Sequence, residues 1–406
     1  MTDDALSSAE ETAMTREQRE KVSRRGFLGL AGVGGATLAV AGVGGLTWRA
    51  VEAGVFATGT GPAYAAWDQW NRPSRGMLRL VRAAVLAANA HNTQPWLFRI
   101  DAEHIDLYAD TGRSIGSMDP LGRELYLSLG CALENLVLAG PASGLAATPA
   151  LLPDPTQPAH IARVTLATTG ATPSPLYAAI PARHTNRGGY DTRRSVDAPI
   201  REALSRLSDV ETIRVVWLTA DADKRAFADL TVRATAVIIA DPQQAADDFA
   251  WYRTAWPQVQ STMDGITIDA SGQPPLIRSA AKLLGTTRAQ NDDGWLSATR
   301  DTQVATAFGV LVAPDPLDPV QRIQAGRIWQ RMHLWATGRG LGMQPLNQVL
   351  ERADRERSAA LAPTFTDAAA RLLPGGWHPL LAFRVGYPTA PALRSPRRPA
   401  EAVQLT

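Results

Sequence analysis

Two apolar helical patterns that close on the same short punctuation constrain this chain more than any other feature. Leu125, Leu129, Ala132, Leu133, Leu136 and Ala139 recur at helical spacing over Leu121 to about Ala139, and Gly-Leu-Ala-Ala-Thr-Pro follows from Gly144. Gly-Leu-Gly-Met-Gln-Pro begins at Gly340, an offset of 340 − 144 = 196 residues. The same offset brings Leu133 onto Trp329, Leu136 onto Met332, Leu138 onto Leu334 and Ala139 onto Trp335, all apolar. A strand pattern follows each helix, Ile161–Leu166 and Leu380–Val385. Two explanations stay open on these residues alone: a coincidence of two apolar helices, or a duplicated unit that packs as an internal pseudo-dimer.

The chain is long enough for either. Its 406 residues, 45% of them hydrophobic, can bury one large core or two smaller ones. A net charge of +2, with no basic block interleaved with aromatics, excludes an extended nucleic-acid footprint. The single cysteine, Cys131, lies in the first apolar helix, so no internal disulfide forms and a buried thiol is expected.

Residues 1–22 are polar and read as a disordered leader. Ser23-Arg24-Arg25-Gly26-Phe27-Leu28-Gly29 then opens an apolar, glycine-rich run to about Leu46, which resembles a twin-arginine (Tat) export signal. That resemblance implies the Tat translocase as a partner and a body outside the cytoplasm, in the periplasm, cell envelope or extracellular space. Ala63-Tyr64-Ala65 offers small residues for cleavage, and retention of the apolar run as a membrane anchor is the alternative. Because the Tat route carries folded proteins, it points to a cofactor inserted before export.

Spacing predicts a helix over Met77–Ala90 that ends in a polar loop, Ala88-Asn89-Ala90-His91-Asn92-Thr93-Gln94-Pro95-Trp96. Its carboxamides donate and accept at once, which suits a heteroaromatic ring edge better than a phosphate or a metal; a satisfied turn is the bland alternative. A hairpin follows, Phe98–Ile100 with Ile105–Tyr108. Arg183-His184-Thr185-Asn186-Arg187 places two guanidiniums and a hydroxyl where they can converge on a dianion, or else forms a solvated charge run. Strand Ile213–Leu218, a helix near Lys224–Ala234, strand Phe308–Val312 and a long helix over Pro319–Thr337 make a second α+β unit. The aromatics Trp251, Tyr252, Trp256 and Trp295 suit packing between helices or a pocket cover, with packing favoured.

The polar loop resembles the Pro-Ser-x-x-Asn-x-Gln-Pro-Trp signature of the nitroreductase family of FMN flavoproteins, with Asn92, Gln94, Pro95 and Trp96 in order and spacing. Ala88, Asn89 and Ala90 replace its proline and serines, with Asn89 a partial substitute. Arg183, Thr185 and Arg187 resemble that family's Arg-x-Ser-x-Arg/Lys phosphate motif, and Arg397-Arg398 its basic pair near the C-terminus. The His-Asn-x-Gln-Pro-Trp, Arg-x-Thr-Asn-Arg and Arg-Arg-Pro segments together are similar to those of the Acg-type branch of single-chain pseudo-dimers.

The resemblance implies an α+β, nitroreductase-like fold of two fused half-units, 66–175 and 176–406, behind a signal or anchor at 23–65. It implies FMN as cofactor, its phosphate held by Arg183, Thr185, Arg187, Arg397 and Arg398 and its ring met by Asn89, Asn92 and Gln94. Backbone around Pro345–Gln348, with Asn347 and Gln348, is expected near the flavin's reacting nitrogen. NAD(P)H and a small acceptor are the implied partners. No acid–base residue and no metal ligand is assigned, since the flavin carries the chemistry. Two rivals remain: a protein that binds flavin without turnover, and a serine hydrolase using Ser114 in Gly112-Arg113-Ser114-Ile115-Gly116. Against the hydrolase, the next apolar helix begins only near Leu121.

Overall fold

A computed structural model describes residues 48–72, 77–301 and 307–405. The leader expected over 1–22 and the Ser23–Leu46 signal resemblance fall outside them. The body is the unit from Ala53 onward.

Two four-stranded antiparallel sheets form the body. The first has β1 (Trp96–Ile100), β2 (His104–Ala109), β3 (Leu145–Leu151) and β4 (His160–Thr168), in spatial order β1-β2-β4-β3. The second has β5 (Arg214–Leu218), β8 (Ala307–Ala313), β9 (Gly342–Pro345) and β10 (His378–Gly386), in order β5-β8-β10-β9. Counting strands within each sheet in chain order, both read first-second-fourth-third. In each, one long apolar helix sits between the second and third strands: α2 (Arg123–Ala139) and α6 (Pro319–Thr337), after the short α1 (Leu78–Ala84). The insertion between β5 and β8 carries α3 (Asp221–Ala240), α4 (Pro242–Phe249), the two-residue parallel pair β6 (Tyr252–Arg253) and β7 (Ile266–Thr267), and α5 (Pro275–Leu284). α7 (Gln348–Ser358) follows β9.

The duplication is written into the contact between α2 and α6. A Cβ on Gly130 would stand 2.1 Å from the Ile323 carbonyl oxygen, and one on Gly326 would stand 2.1 Å from that of Leu127. Gly130 and Leu127 become Gly326 and Ile323 at the 196-residue offset, so the two contacts are reciprocal, as an isologous interface requires. The helix backbones meet closely only because neither glycine carries a side chain. Gly144 and Gly340, also 196 apart, both adopt left-handed backbone, φ 72 and 70. Polar ties cross the same contact: Glu134 accepts from Arg327 at 2.8 Å and Arg331 at 2.9 Å, and Gln330 Nε2 donates to Asn135 Oδ1 at 2.9 Å. Cys131 is buried here, as expected.

Several sequence boundaries shift for tertiary reasons. The helix expected over Met77–Ala90 ends at Ala84, and Asn89 is extended at φ −160, so that its side chain can hold the loop that follows. Between the first apolar helix and the strand pattern at Ile161 lies a strand that spacing does not predict, β3, whose Pro149 opposes Val164 at the edge of the sheet, where a missing N–H is tolerated. The helix near Lys224–Ala234 extends to Asp221–Ala240, whereas Pro319–Thr337 forms as expected.

The expected cleavage segment is not a free linker. Ala63 and Tyr64 are buried; Ala63 N–H donates to Gln260 Oε1 at 3.1 Å and its carbonyl accepts from Arg397 N–H at 2.8 Å. At the other end of the chain, Gln404 bridges Phe98 in parallel and Leu405 N–H donates to Phe98 O at 2.7 Å. The tail of the second half thus edges the sheet of the first. Among the described residues no helix is long and apolar enough to cross a membrane.

Candidate functional site

Segments far apart in sequence meet at one polar cleft. Its walls come from Trp67, from Ala88, Asn89 and Asn92 of the polar loop, from Arg183, His184, Thr185 and Arg187, from Gly265, Ile266 and Ala270 of the insertion, and from Ser395 and Arg397.

The polar loop is strained and heavily tied. His91, Asn92 and Gln94 have φ of 47, 56 and 54, which costs on the order of 1–3 kcal/mol each for residues other than glycine. Hydrogen bonds offset that cost. Asn89 Oδ1 accepts from Gln94 N–H at 2.8 Å, Ala90 N–H donates to Ser128 Oγ at 3.0 Å, and Ala88 N–H donates to Gln330 Oε1 at 3.2 Å. Asn92 Nδ2 donates to the carbonyls of Gly265 at 3.0 Å and Pro396 at 2.9 Å, while its Oδ1 accepts from the Arg397 guanidinium. Gln94 Nε2 donates to Met263 O at 2.8 Å and its Oε1 accepts from Arg398 N–H at 2.8 Å. Both carboxamides are therefore used by the protein: they fasten the loop to the insertion and tail, and Asn92 aims Arg397 at the cleft.

The basic segment divides its residues between body and cleft. Asn186 N–H donates to Met343 O at 3.2 Å and its Nδ2 to Ala390 O at 2.9 Å, fixing the chain against the second sheet. Arg183, Thr185 and Arg187, two residues apart in a stretch without helical hydrogen bonds, reach the cleft. Arg183 donates to Leu86 O at 3.1 Å and Arg187 to Ala270 O at 3.1 Å.

Charge is what distinguishes this cleft. Arg183, Arg187 and Arg397 have no acidic partner among the described residues. Burial holds the Arg183 guanidinium down to about 10, lowers that of Arg187, and pushes that of Arg397 well below its usual range with Arg183 adding repulsion. Burial, then the charges of Arg183, Arg397 and Arg394, hold the His184 imidazole at about 3, so it is neutral at physiological pH. Arg183 Nε, Arg397 Nε and His184 Nδ1 are buried without a hydrogen-bond partner. Trp67 completes the wall: its Nε1 donates to Ser395 O at 2.8 Å, its ring meets His184 edge-on at 4.6 Å, and the Arg397 guanidinium lies 5.1 Å from its centroid. Buried cations without counter-charge, beside orphaned donors and a hydroxyl, suit a dianionic group such as a phosphate monoester.

Of the ten residues expected at the site, Asn89, Asn92, Arg183, Thr185, Arg187 and Arg397 line the cleft, and Gln94, Asn347, Gln348 and Arg398 do not. Arg398 instead braces the polar loop through Gln94 O at 2.5 Å. Asn347 and Gln348 sit at the start of α7, where Asn347 Oδ1 accepts from Ala382 N–H at 3.1 Å. Trp67, His184 and the 265–270 wall escaped the sequence reading; His184 lay inside the motif, but only burial reveals its neutral state. Trp251 and Trp295 pack with Ile115, Met118 and Ile238, and Trp256 stacks on Tyr64 at 6.3 Å, so packing is their role.

Ser114 is no hydrolase nucleophile. It is exposed, follows a 3-10 turn, accepts from Gly116 N–H at 3.0 Å and contacts no histidine, while α2 begins only at Arg123. The first histidine after Ser114 in the chain, His160, lies 3.1 Å from Asp106 within the first sheet.

No protein-family model matches this chain. It is 28% identical over 337 residues, 80% of its length and 88% of the relative's, to "Putative NAD(P)H nitroreductase Rv3131" of Mycobacterium tuberculosis. Over 84 residues, 21% of this chain and 25% of the relative, it is 32% identical to "Putative NAD(P)H nitroreductase acg" of the same organism. Among solved structures, the FMN-dependent nitroreductase NfnB of Mycobacterium smegmatis in complex with NADPH aligns with 57% of this chain and 97% of its own, at 17% identity and TM-score 0.37.

Proposed function

We propose that this chain is an FMN-dependent oxidoreductase of nitroreductase type, exported by the Tat route, that passes hydride from NAD(P)H or another donor to a small acceptor. The observation that carries the reading is the convergence of buried Arg183 and Arg397 and half-buried Arg187, without counter-charge among the described residues, on one cleft beside Thr185. Likeness over 88% of a relative named a NAD(P)H nitroreductase supports the activity.

The residues fit FMN. The three arginines neutralise its phosphate, the Thr185 hydroxyl adds a neutral hydrogen bond, and the orphaned Arg183 and Arg397 nitrogens gain an acceptor. When bound, FMN supplies the hydride-accepting and hydride-donating centre. The chain's own task is to hold and orient: Asn92 positions Arg397, Asn89 and Gln94 stiffen the loop, and Trp67 walls the cleft. His184 stays neutral, which keeps the charge of the cleft constant over physiological pH.

Anaerobic addition of NADPH to the yellow holoprotein is expected to bleach its visible flavin absorbance. Persistent colour with both NADH and NADPH would leave a flavin-binding protein without turnover. Export rests on the Ser23–Leu28 resemblance: a reporter fused behind residues 1–65 is expected outside the cytoplasm, and Arg24→Lys with Arg25→Lys to retain it inside. Export unaffected by that double change would refute the Tat assignment.

A further inference from the structure

One turn of α6 touches both sides of the cleft. Gln330 and His333, both buried, lie three residues apart and so share a face of the helix. Gln330 Oε1 accepts from Ala88 N–H at 3.2 Å, at the head of the polar loop. His333 Nδ1 lies 3.5 Å from Nη1 of Arg183, in the basic segment. The His333 ring packs on Trp329, one turn earlier, at 5.3 Å, so the helix crossing that joins the two halves also fixes the imidazole.

Chemistry assigns the roles in the second contact. A guanidinium only donates, so Nδ1 accepts and the ring proton sits on Nε2. Burial, then the charge of Arg183, hold the His333 imidazole well below its ordinary range, which makes it a neutral acceptor at physiological pH. A carboxylate in its place would accept equally well, but it would cancel the charge of Arg183 and compete with an incoming anion. Leu86 O takes another Arg183 N–H at 3.1 Å, while Arg183 Nε stays buried without a partner. The guanidinium is thus held by two uncharged acceptors and keeps its charge.

The repeat shows what the other half lacks. At the 196-residue offset Gln330 and His333 fall on Glu134 and Val137 of α2. Glu134 is taken by Arg327 and Arg331, and a valine side chain has no hydrogen-bonding group. The helices cross reciprocally at their glycines, yet of the two it is α6 that sets a neutral acceptor against a buried arginine.

We propose that His333 is a positioning residue of the clamp: it turns Arg183 toward the cleft and leaves its full charge for a dianionic ligand. This rests on reading the cleft as a phosphate site, so the test has one arm without ligand and one with FMN.

In the ligand-free protein, NMR of the histidine ring nitrogens is expected to show the Nε2-protonated tautomer at His333, assigned by the signals lost in His333→Gln, with the Nδ1 resonance displaced by Arg183→Met. An Nδ1-protonated ring, or one that ignores Arg183→Met, overturns the proposal. In FMN titrations His333→Leu is expected to weaken binding about 2- to 10-fold, the worth of one neutral hydrogen bond. His333→Gln, whose carbonyl oxygen accepts, is expected to recover most of that loss, and His333→Glu to bind more weakly than His333→Leu. In an Arg183→Met background the three substitutions are expected to make no further difference. A His333→Leu loss that persists in full in that background marks a structural residue and overturns the proposal, as does parental affinity in His333→Glu. A parent that binds no FMN refutes the flavin reading, and the tautomer then still reports whether His333 holds Arg183.

Discussion

Replacing Arg183 with methionine separates a ligand clamp from a structural cation, because the two effects have opposite signs. The guanidinium is buried, without an acidic partner among the described residues, and held down to about 10 by that burial. At about 1.4 kcal/mol per pH unit, that drop amounts to about 3 kcal/mol of disfavoured charge in the ligand-free protein. Arg183→Met removes this penalty and fills most of the space. It also deprives the Leu86 carbonyl of its 3.1 Å donor, a loss of about 1–3 kcal/mol. The ligand-free protein should therefore gain on the order of 1 kcal/mol, a rise in Tm of about 2 °C. Binding of FMN should lose a charge-assisted hydrogen bond of about 1.5–3 kcal/mol, a weakening of roughly 10- to 150-fold. Calorimetric melts of the flavin-free protein and titration with FMN read the two effects separately. A variant that melts lower and binds FMN as tightly as the parent would refute the reasoning: Arg183 would then be a structural residue and the clamp misplaced.

Two further outcomes follow from the same geometry. With His184 held at about 3 by burial and three neighbouring arginines, the titrating partner near neutral pH is the ligand's phosphate, whose second ionisation lies at about 6; FMN affinity should fall as pH drops below that value, and an affinity that rises instead would show His184 gaining charge. Gly130→Ala or Gly326→Ala forces a methyl group to within 2.1 Å of a facing helix carbonyl, so each should cost at least the roughly 1–3 kcal/mol of overpacking, and unchanged chemical denaturation would refute the close crossing of α2 and α6.

Sequence reading located the repeating framework because helices and strands are periodic and local. The spacing of Leu129, Leu133 and Leu136, the hairpin around Asp101–His104, and Pro319–Thr337 all formed where the pattern placed them, since their apolar residues sample the core at 3.6 or 2 residues per cycle. β3 was hidden because its one proline and its alanines carry little strand signal, and only pairing with β4 makes it a strand.

The site divides in the same way. The types and spacing of Arg183, Thr185 and Arg187 were enough to identify an anion motif, because alternate residues of an extended stretch share a face. Whether those arginines were solvated or buried is a non-local matter that no spacing encodes. It was decided by Asn92 turning Arg397 into the cleft, by Gly265–Ala270 closing a wall, and by Asp264 and Asp269 being engaged by Arg253 and Lys282. The same distinction explains why Gln94 and Arg398 left the cleft. Their hydrogen-bonding groups were legible in the sequence, but their partners, Met263 and Gln94 itself, were chosen by the way distant segments pack.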